Sequence, residues 1–281
     1  MTTTVAAYSV RQTSNKSEIA DFLNRDRLYA GYALCDLDEG YFGACRWFLV
    51  SDTEGEPSGL AMEFGQLSPV VLFLMGEPEA ACAPLHSALT PISIQITAQR
   101  EHLAALRRRY RLHQMREMLR MAVRKEEFRP ASQHELAERL TERDLPELNR
   151  IYRMAAGSAF APYQFRQGIF YGVKVQGRLV ATAGTHILSE AQRIVAVGNV
   201  FTHPHFRGHG YAQATTSAVT AEALRRFGPD QAGQPEAIAI LNVRADNPSA
   251  IQVYRKLGYR EACRFYEAYG GRRWFSRLWV H

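Results

Sequence analysis

An apolar, β-branched run from Ile194 to Phe201 ends in the turn Thr202-His203-Pro204-His205-Phe206-Arg207-Gly208-His209-Gly210, and a helical pattern follows at once. A strand that feeds directly into a helix through a Pro- and Gly-containing turn belongs to folds in which helices cover a sheet. The junction also has a chemical consequence. The first N–H groups of a helix have no partner inside it, and they sit at the positive end of the helix dipole. The Arg207-x-x-Gly210-x-Ala212 core therefore forms a site for a phosphate or pyrophosphate. Gly208 and Gly210 lack the Cβ atoms that would block close approach, and they permit φ > 0.

The second half of the chain reads as helix, three strands, helix, strand, helix, strand, strand. Thr141-x-x-Asp144 resembles a helix N-cap, and Leu145, Leu148, Ile151, Tyr152 and Ala155 give the helix an apolar face. Strands Ile169–Val175 and Leu179–Ile187 meet across Gln176-Gly177-Arg178, a hairpin turn. After the strand from Ile194, the helix keeps its apolar face through Ala212, Thr216, Val219, Ala223 and Phe227, and Gly228 stops it. Ala237–Val243 is a buried-type strand, Asn247-Pro248 opens a short helix that Gly258 closes, and strands follow at Arg260–Tyr269 and Arg273–Val280.

The first half repeats this order more faintly. Strands are expected at Arg46–Val50, Gly59–Phe64 and Val70–Met75, then a helix over Glu77–Leu89, a strand over Ile92–Thr97 and a helix over Arg100–Tyr110. Leu119, Met121 and Val123 alternate, which favours a strand for Met115–Val123. Two similar domains follow from the element order, residues 1–129 and residues 134–281, joined near Phe128–Gln133 where Pro130 breaks the pattern.

A second motif lies downstream of the glycine turn: Asn247-x-x-Ala250-x-x-x-Tyr254-x-x-x-Gly258-Tyr259. With Arg207-Gly208-His209-Gly210-Tyr211-Ala212 it resembles the GNAT N-acetyltransferase superfamily, whose pyrophosphate motif is Q/R-x-x-G-x-G/A. The resemblance runs from about Leu136 onward, and the form T-H-P-x-F-R-G-x-G-Y-A is most similar to the branch of glycine N-acyltransferase-like enzymes and bacterial two-domain relatives. It implies an α/β fold with tandem domains, each a mostly antiparallel central sheet flanked by helices, the first of them degenerate.

It also implies acetyl-CoA as co-substrate, lying between the strands Ile194–Phe201 and Ala237–Val243. The pantetheine would pair with the backbone of Val200, Phe201 and Thr202, and the pyrophosphate would sit on the N–H groups of Gly208, His209, Gly210, Tyr211 and Ala212 beside Arg207. An amine would attack the thioester directly, with a backbone N–H of the central strand stabilising the oxyanion. Tyr254 holds the motif position of the general acid, although spacing alone places it with Ala250, Val253 and Leu257 on a buried helix face.

Asn247 reads as a helix cap that can also touch a ligand, and Asn242 stands where its strand meets the cofactor. No carboxylate lies on Ile194–Thr202, so the general base stays open among His186, Asn199 and Glu190. His203 and His205, without an acidic or cysteine cluster beside them, do not make a metal site, and no metal is expected. In the first half, Gly76-Glu77-Pro78-Glu79 stands where the second has its glycine turn. Two carboxylates and a missing N–H there oppose pyrophosphate binding, so no CoA is expected in that domain.

Composition narrows the remaining classes. The chain is 46% hydrophobic and carries 34 basic against 28 acidic residues, an excess that fits an anionic ligand without singling out nucleic acid. The run Arg107-Arg108-Arg109-Tyr110-Arg111, with Arg116 and Arg120, reads as a solvated helix end rather than a nucleic-acid patch. No apolar stretch of about 18 residues exists, no secretory pattern opens the sequence, and the cysteines Cys35, Cys45, Cys82 and Cys263 are scattered, which together suggest a reduced, cytoplasmic protein with no membrane partner. The expected activity is acetyl transfer from acetyl-CoA to a primary amine of a small molecule or peptide. Two alternatives stand beside it: a longer acyl-CoA with an amino-acid acceptor, and a non-catalytic acetyl-CoA sensor. The acceptor and the oligomeric state are not legible.

Overall fold

The computed structural model describes residues 8–86, 88–154, 162–229 and 231–273. Its strands are β1 (Ser9–Thr13), β2 (Cys45–Ser51), β3 (Pro57–Phe64), β4 (Val70–Gly76), β5 (Ser93–Ala98), β6 (Tyr110–Arg124), β7 (Glu138–Arg139), β8 (Phe170–Val175), β9 (Arg178–Ser189), β10 (Ile194–Thr202), β11 (Ile238–Arg244) and β12 (Arg260–Arg272). Its helices are α1 (Lys16–Leu23), α2 (Gly31–Cys35), α3 (Glu39–Phe42), α4 (Pro78–Cys82), α5 (His102–Arg109), α6 (Leu145–Arg153), α7 (Pro162–Gln167), α8 (Tyr211–Arg226) and α9 (Pro248–Lys256). The chain divides into two compact units, Met1–Met118 with Arg264–His281, and Leu119–Cys263.

In the first unit the strand order is β1-β2-β3-β4-β5-β12. Neighbours run antiparallel except β4 and β5, which are parallel from Val70↔Ile94 to Phe73↔Thr97. Leu72, Leu74, Ile94 and Ile96 of the central strands pack with Leu85, Leu103 and Leu106 into one core. The helix expected over Glu77–Leu89 is α4 followed by a 3-10 turn at Ala83–His86, because Pro84 has no N–H with which to continue the α-helical ladder. Of the basic run, Arg108 pairs with Glu79, and Arg109 contacts the His86 ring.

The second unit has the order β6-β11-β10-β9-β8-β7, with β6 entering at Leu119. β8, β9 and β10 are antiparallel, and β10 runs parallel to β11 from Ile194↔Ile238 to Val197↔Leu241. β4 and β10 thus have the same setting within their own units: one antiparallel neighbour and one parallel neighbour. The hairpin is closed by Gln176 and Gly177, both at positive φ, between Val175 and Arg178, which is the turn that matches strand twist. Thr141 and Asp144 form a capping box, and α6 follows. Val219, Ala223 and Leu224 of α8 with Phe227 at its end, and Ile251 and Tyr254 of α9 with Leu257 at its end, bury against Val195, Val197, Ala239 and Leu241.

The division of the chain differs from the expected boundary at residues 129–134. The structure divides it at Met118/Leu119 and again at Cys263/Arg264. Tyr266–Gly271 of β12 pair with β5, so the segment after Cys263 belongs to the first unit. Strand periodicity states which face is apolar and is silent about the partner strand. The expected linker is also tied down within the second unit: Arg129 N–H donates to Leu257 O (3.1 Å), and Ala131 N–H donates to Ser217 Oγ (2.9 Å). Ala155 and all but Arg273 of the strand expected at Arg273–Val280 lie outside the described residues.

Candidate active site

Parallel strands β10 and β11 pair for a few residues and then part. The last pair is Val197↔Leu241, so the β11-facing edge of Gly198–Thr202 has no strand partner among the described residues. Beyond Thr202 the chain turns through Pro204–Phe206 in a 3-10 turn and reaches α8. His203 N–H donates to Val180 O (2.8 Å), which pins the start of the turn to β9.

The backbone N–H groups from Gly208 to Gln213 have no acceptor among the described residues. The first bond of the α8 ladder is Ala214 N–H to Gly210 O (3.0 Å). Gly208 (φ +83°) and Gly210 (φ +79°) are both left-handed, a geometry that turns successive N–H groups toward one side. Arg207 is exposed, and its Nε–H reaches Thr202 O at 3.4 Å, which leaves the tip of its guanidinium beside the loop. The row of N–H donors, the positive end of a long helix and an arginine together fit a pyrophosphate.

β10 is distorted at the same place. Its pairing with β9 skips one residue on β9 at His186 and one on β10 at Asn199–Val200, and Asn199 has φ +52°. Asn199 N–H donates to His186 Nε2 (3.2 Å), and Asn199 O accepts from the Tyr152 hydroxyl (2.5 Å). Burial holds the His186 imidazole below its ordinary pKa. Its Nε2 lone pair is engaged by a backbone donor, which removes that nitrogen as a general base. Glu190 is exposed at the far end of β9.

Tyr254 is 6% exposed and packs in the cluster that contains Val197 and Leu241, the residues at which β10 and β11 part. Its ring meets Tyr259 edge-on, and its hydroxyl has no hydrogen bond among the described residues. Burial pushes its pKa up to about 12. Asn247 caps α9, accepting from Ala250 N–H (3.2 Å) and the Ser249 hydroxyl (2.9 Å). Asn242 accepts from Arg120 Nε–H (3.0 Å), which leaves its amide group as the free end. Arg120, expected in the solvated basic cluster, is only 1% exposed. His203 Nδ1 accepts from His205 N–H (3.3 Å), within the turn itself. Among the described residues no group of three His, Cys, Asp or Glu side chains is arranged to hold a metal ion.

The corresponding place in the first unit is built differently. β4 pairs with β3 from Gly59↔Gly76 to Phe64↔Val71 without a register shift. Where β4 and β5 part, the buried Tyr29 donates its hydroxyl to Leu74 O (2.7 Å) and reaches Thr97 O at 3.5 Å. His102 Nε2–H donates to Gly76 O (3.0 Å). Glu77 N–H is already bonded to Ser58 O (2.8 Å), and Pro78 has none to offer.

Residues 133–259 match the model of the acetyltransferase (GNAT) family. Among solved structures, the chain is similar to a protein from Novosphingobium aromaticivorans assigned to the GNAT acetyltransferases, at 26% identity and TM-score 0.53 over 72% of this chain and 84% of that one. It shares its fold with a GCN5-related N-acetyltransferase from Sphaerobacter thermophilus, at 17% identity and TM-score 0.56 over 95% and 96% of the two chains. It also shares its fold with a tandem GNAT protein from the clavulanic acid biosynthesis pathway, at 11% identity and TM-score 0.56 over 94% and 98%. No curated relative matches the chain. The family match takes in the parting strands, the glycine turn and Tyr254 together, and residues 133–259 accordingly form a GNAT-family acetyltransferase domain that makes this chain an acyltransferase.

Proposed function

We propose that the second unit transfers an acetyl group from acetyl-CoA to a primary amine by direct attack within a ternary complex. The observation that carries this reading is the parting of β10 and β11 immediately before a row of unclaimed N–H groups at the start of α8. Bound acetyl-CoA supplies a thioester carbonyl for the amine and a thiolate leaving group. Gly208 to Ala212 hold the pyrophosphate, Val200 to Thr202 offer backbone groups to the pantetheine, and a backbone N–H of β10 faces the carbonyl oxygen.

Tyr254 donates the proton that the departing sulfur takes up. A phenol at about 12 would be a poor acid toward an exposed thiol of ordinary pKa about 8.5. Burial disfavours a thiolate as it does a phenolate, so a sulfur that departs in the same buried surroundings is a stronger base than a free thiolate. Proton transfer from Tyr254 to that sulfur is accordingly easier than the solution values suggest. The proton released by the amine leaves to solvent, because neither Nε2 of His186 nor a carboxylate on β10 is available to take it.

A thiol-release assay with acetyl-CoA over a broad amine panel tests the reading. Tyr254→Phe is expected to cut turnover about 10²-fold or more. Thermal stability should be unchanged or slightly higher, since the hydroxyl removed has no partner to lose among the described residues. Turnover that survives the substitution would remove Tyr254 as the acid. The turn form that resembles the glycine N-acyltransferase-like branch supports a second reading with a longer acyl-CoA and an amino-acid acceptor, and chain-length profiling in the same assay separates the two.

The first unit is inferred to bind no CoA. The supporting observations are Tyr29 and His102 in the place where its parallel strands part, and the acidic Glu77-Pro78-Glu79 at the head of α4. Isothermal titration with CoA is expected to give one site per chain. Two sites would overturn this.

A further inference from the structure

The distortion between β9 and β10 is local and self-cancelling. Pairing is regular from Ile194↔Ser189 to Ala196↔Ile187, and the step to Val197↔Thr185 leaves His186 over on β9. The step from Gly198↔Gly184 to Phe201↔Thr182 then leaves one residue over on β10, and the strands resume their original register. Two opposite bulges within a few residues change nothing about the sheet as a whole. They change only the direction of the backbone from Val197 to Val200, where β11 departs. Bulges of this kind re-aim a strand next to a functional site.

The central residue of the second bulge is Asn199, whose backbone is left-handed. Its N–H and C=O have both lost their ladder partners, and each has gained a side chain in exchange. His186, itself the residue left over on β9, supplies Nε2 to the N–H at 3.2 Å, and Tyr152 of α6 supplies its hydroxyl to the C=O at 2.5 Å. Space has been made for the imidazole: a Cβ on Gly198 would stand 2.4–2.7 Å from its ring atoms. Tyr152 is held in turn, because α6 is fastened to β9 by Arg150 to Leu179 O (3.0 Å) and by Leu179 N–H to Glu147 (3.3 Å). A backbone conformation that costs free energy persists where its surroundings determine it from more than one side.

We propose that His186 and Tyr152 are positioning residues for acyl transfer, a clamp that fixes the left-handed bulge at Asn199 from opposite sides and so aims the N–H groups that follow it into the gap between β10 and β11. The proposal rests on the acyl-transfer reading above for its functional part alone. His186 acts as a neutral hydrogen-bond acceptor, with its proton on Nδ1, and the lowered affinity of the buried ring for a second proton keeps it so. Neither side chain touches the reacting atoms in this scheme.

The test uses the full chain with His186→Gln, which keeps an acceptor oxygen, His186→Leu, which does not, and Tyr152→Phe. Hydrogen exchange at the peptide spanning residues 194–202 reads the clamp directly, without any substrate. Exchange of the Asn199 amide should accelerate at least about 10-fold in His186→Leu and stay near wild type in His186→Gln. In the acyl-transfer assay, His186→Leu and Tyr152→Phe should lower kcat about 10-fold or more, since small misplacements at a reacting centre are costly. CoA affinity by titration should hold within about 2-fold of wild type, because the pyrophosphate loop is untouched. Unchanged exchange in His186→Leu overturns the clamp whether or not an acceptor amine has been found. Loss of kcat in His186→Gln equal to that in His186→Leu also overturns it, since a proton-transfer role would then explain the histidine. If His186→Leu does not fold, Tyr152→Phe decides: normal kcat with normal exchange ends the proposal.

Discussion

Gly210→Asp is expected to weaken CoA binding at least about 100-fold while leaving the melting temperature close to that of the unsubstituted chain. A carboxylate at this position would stand beside the pyrophosphate in the proposed site, and like charges about 4 Å apart near a protein surface repel by about 4 kcal/mol. The fold should tolerate the change. Asp is among the residues that most readily accept the left-handed backbone of Gly210, so the strain of the substitution is small. A Cβ at Gly210 would come to 3.0 Å from Gln133 Oε1, the tip of a flexible side chain that can move aside. Titration with CoA beside a thermal melt separates the two effects, and an unchanged Kd would remove this turn as the phosphate site. Gly210→Ala adds the methyl group without the charge and should lose much less affinity.

Gly258→Ala is expected to be the most damaging small substitution for stability, at about 3–5 kcal/mol. Gly258 closes α9 at φ +93°, which costs an alanine about 1–2 kcal/mol by itself. The added Cβ would also stand 2.2 Å from the backbone oxygen of Glu127, and backbone cannot swing away as a side-chain tip does. Relief requires moving either the end of α9, which carries Tyr254, or the turn that follows β6. Gly233→Ala is the matched control, with φ +83° and nothing within 4 Å of the new methyl, and should show the backbone term alone. Denaturant unfolding of both variants measures the difference. Equal losses would show that the contact with Glu127 contributes nothing.

The elements that hold the candidate site were legible because each is announced within a few residues. A β-branched run, a Pro-Gly turn and a helix face define β10 and α8, and Asn247-Pro248 with Gly258 brackets α9. What sequence reasoning missed depends on partners far along the chain. Arg120 alternates with Leu119, Met121 and Val123 and so reads as a solvent-facing residue, yet it is buried against Asn242, over a hundred positions away. Tyr152 looked like one more apolar contact on α6, since nothing local shows that its hydroxyl reaches Asn199 O. His186 and Asn199 were weighed as base candidates, and only the register of β9 against β10 shows them to be bonded to each other. Asn199 did carry one hint, as Asn is the side chain that most readily adopts positive φ outside glycine. The pairing of β12 with β5 had none.

That pairing sets an order of manufacture. Residues 1–118 leave the ribosome first, but the sheet they form ends at β5 until Tyr266–Gly271 arrive to cover its outer edge. The whole of the second unit is synthesised in between, at about 5–20 residues per second. The acyltransferase unit can therefore finish folding while the earlier unit still presents an open strand edge, the feature that most readily recruits a wrong partner. The half of the chain that is made first is the half that is completed last, and its exposure during that interval falls on a nascent chain rather than on the finished protein.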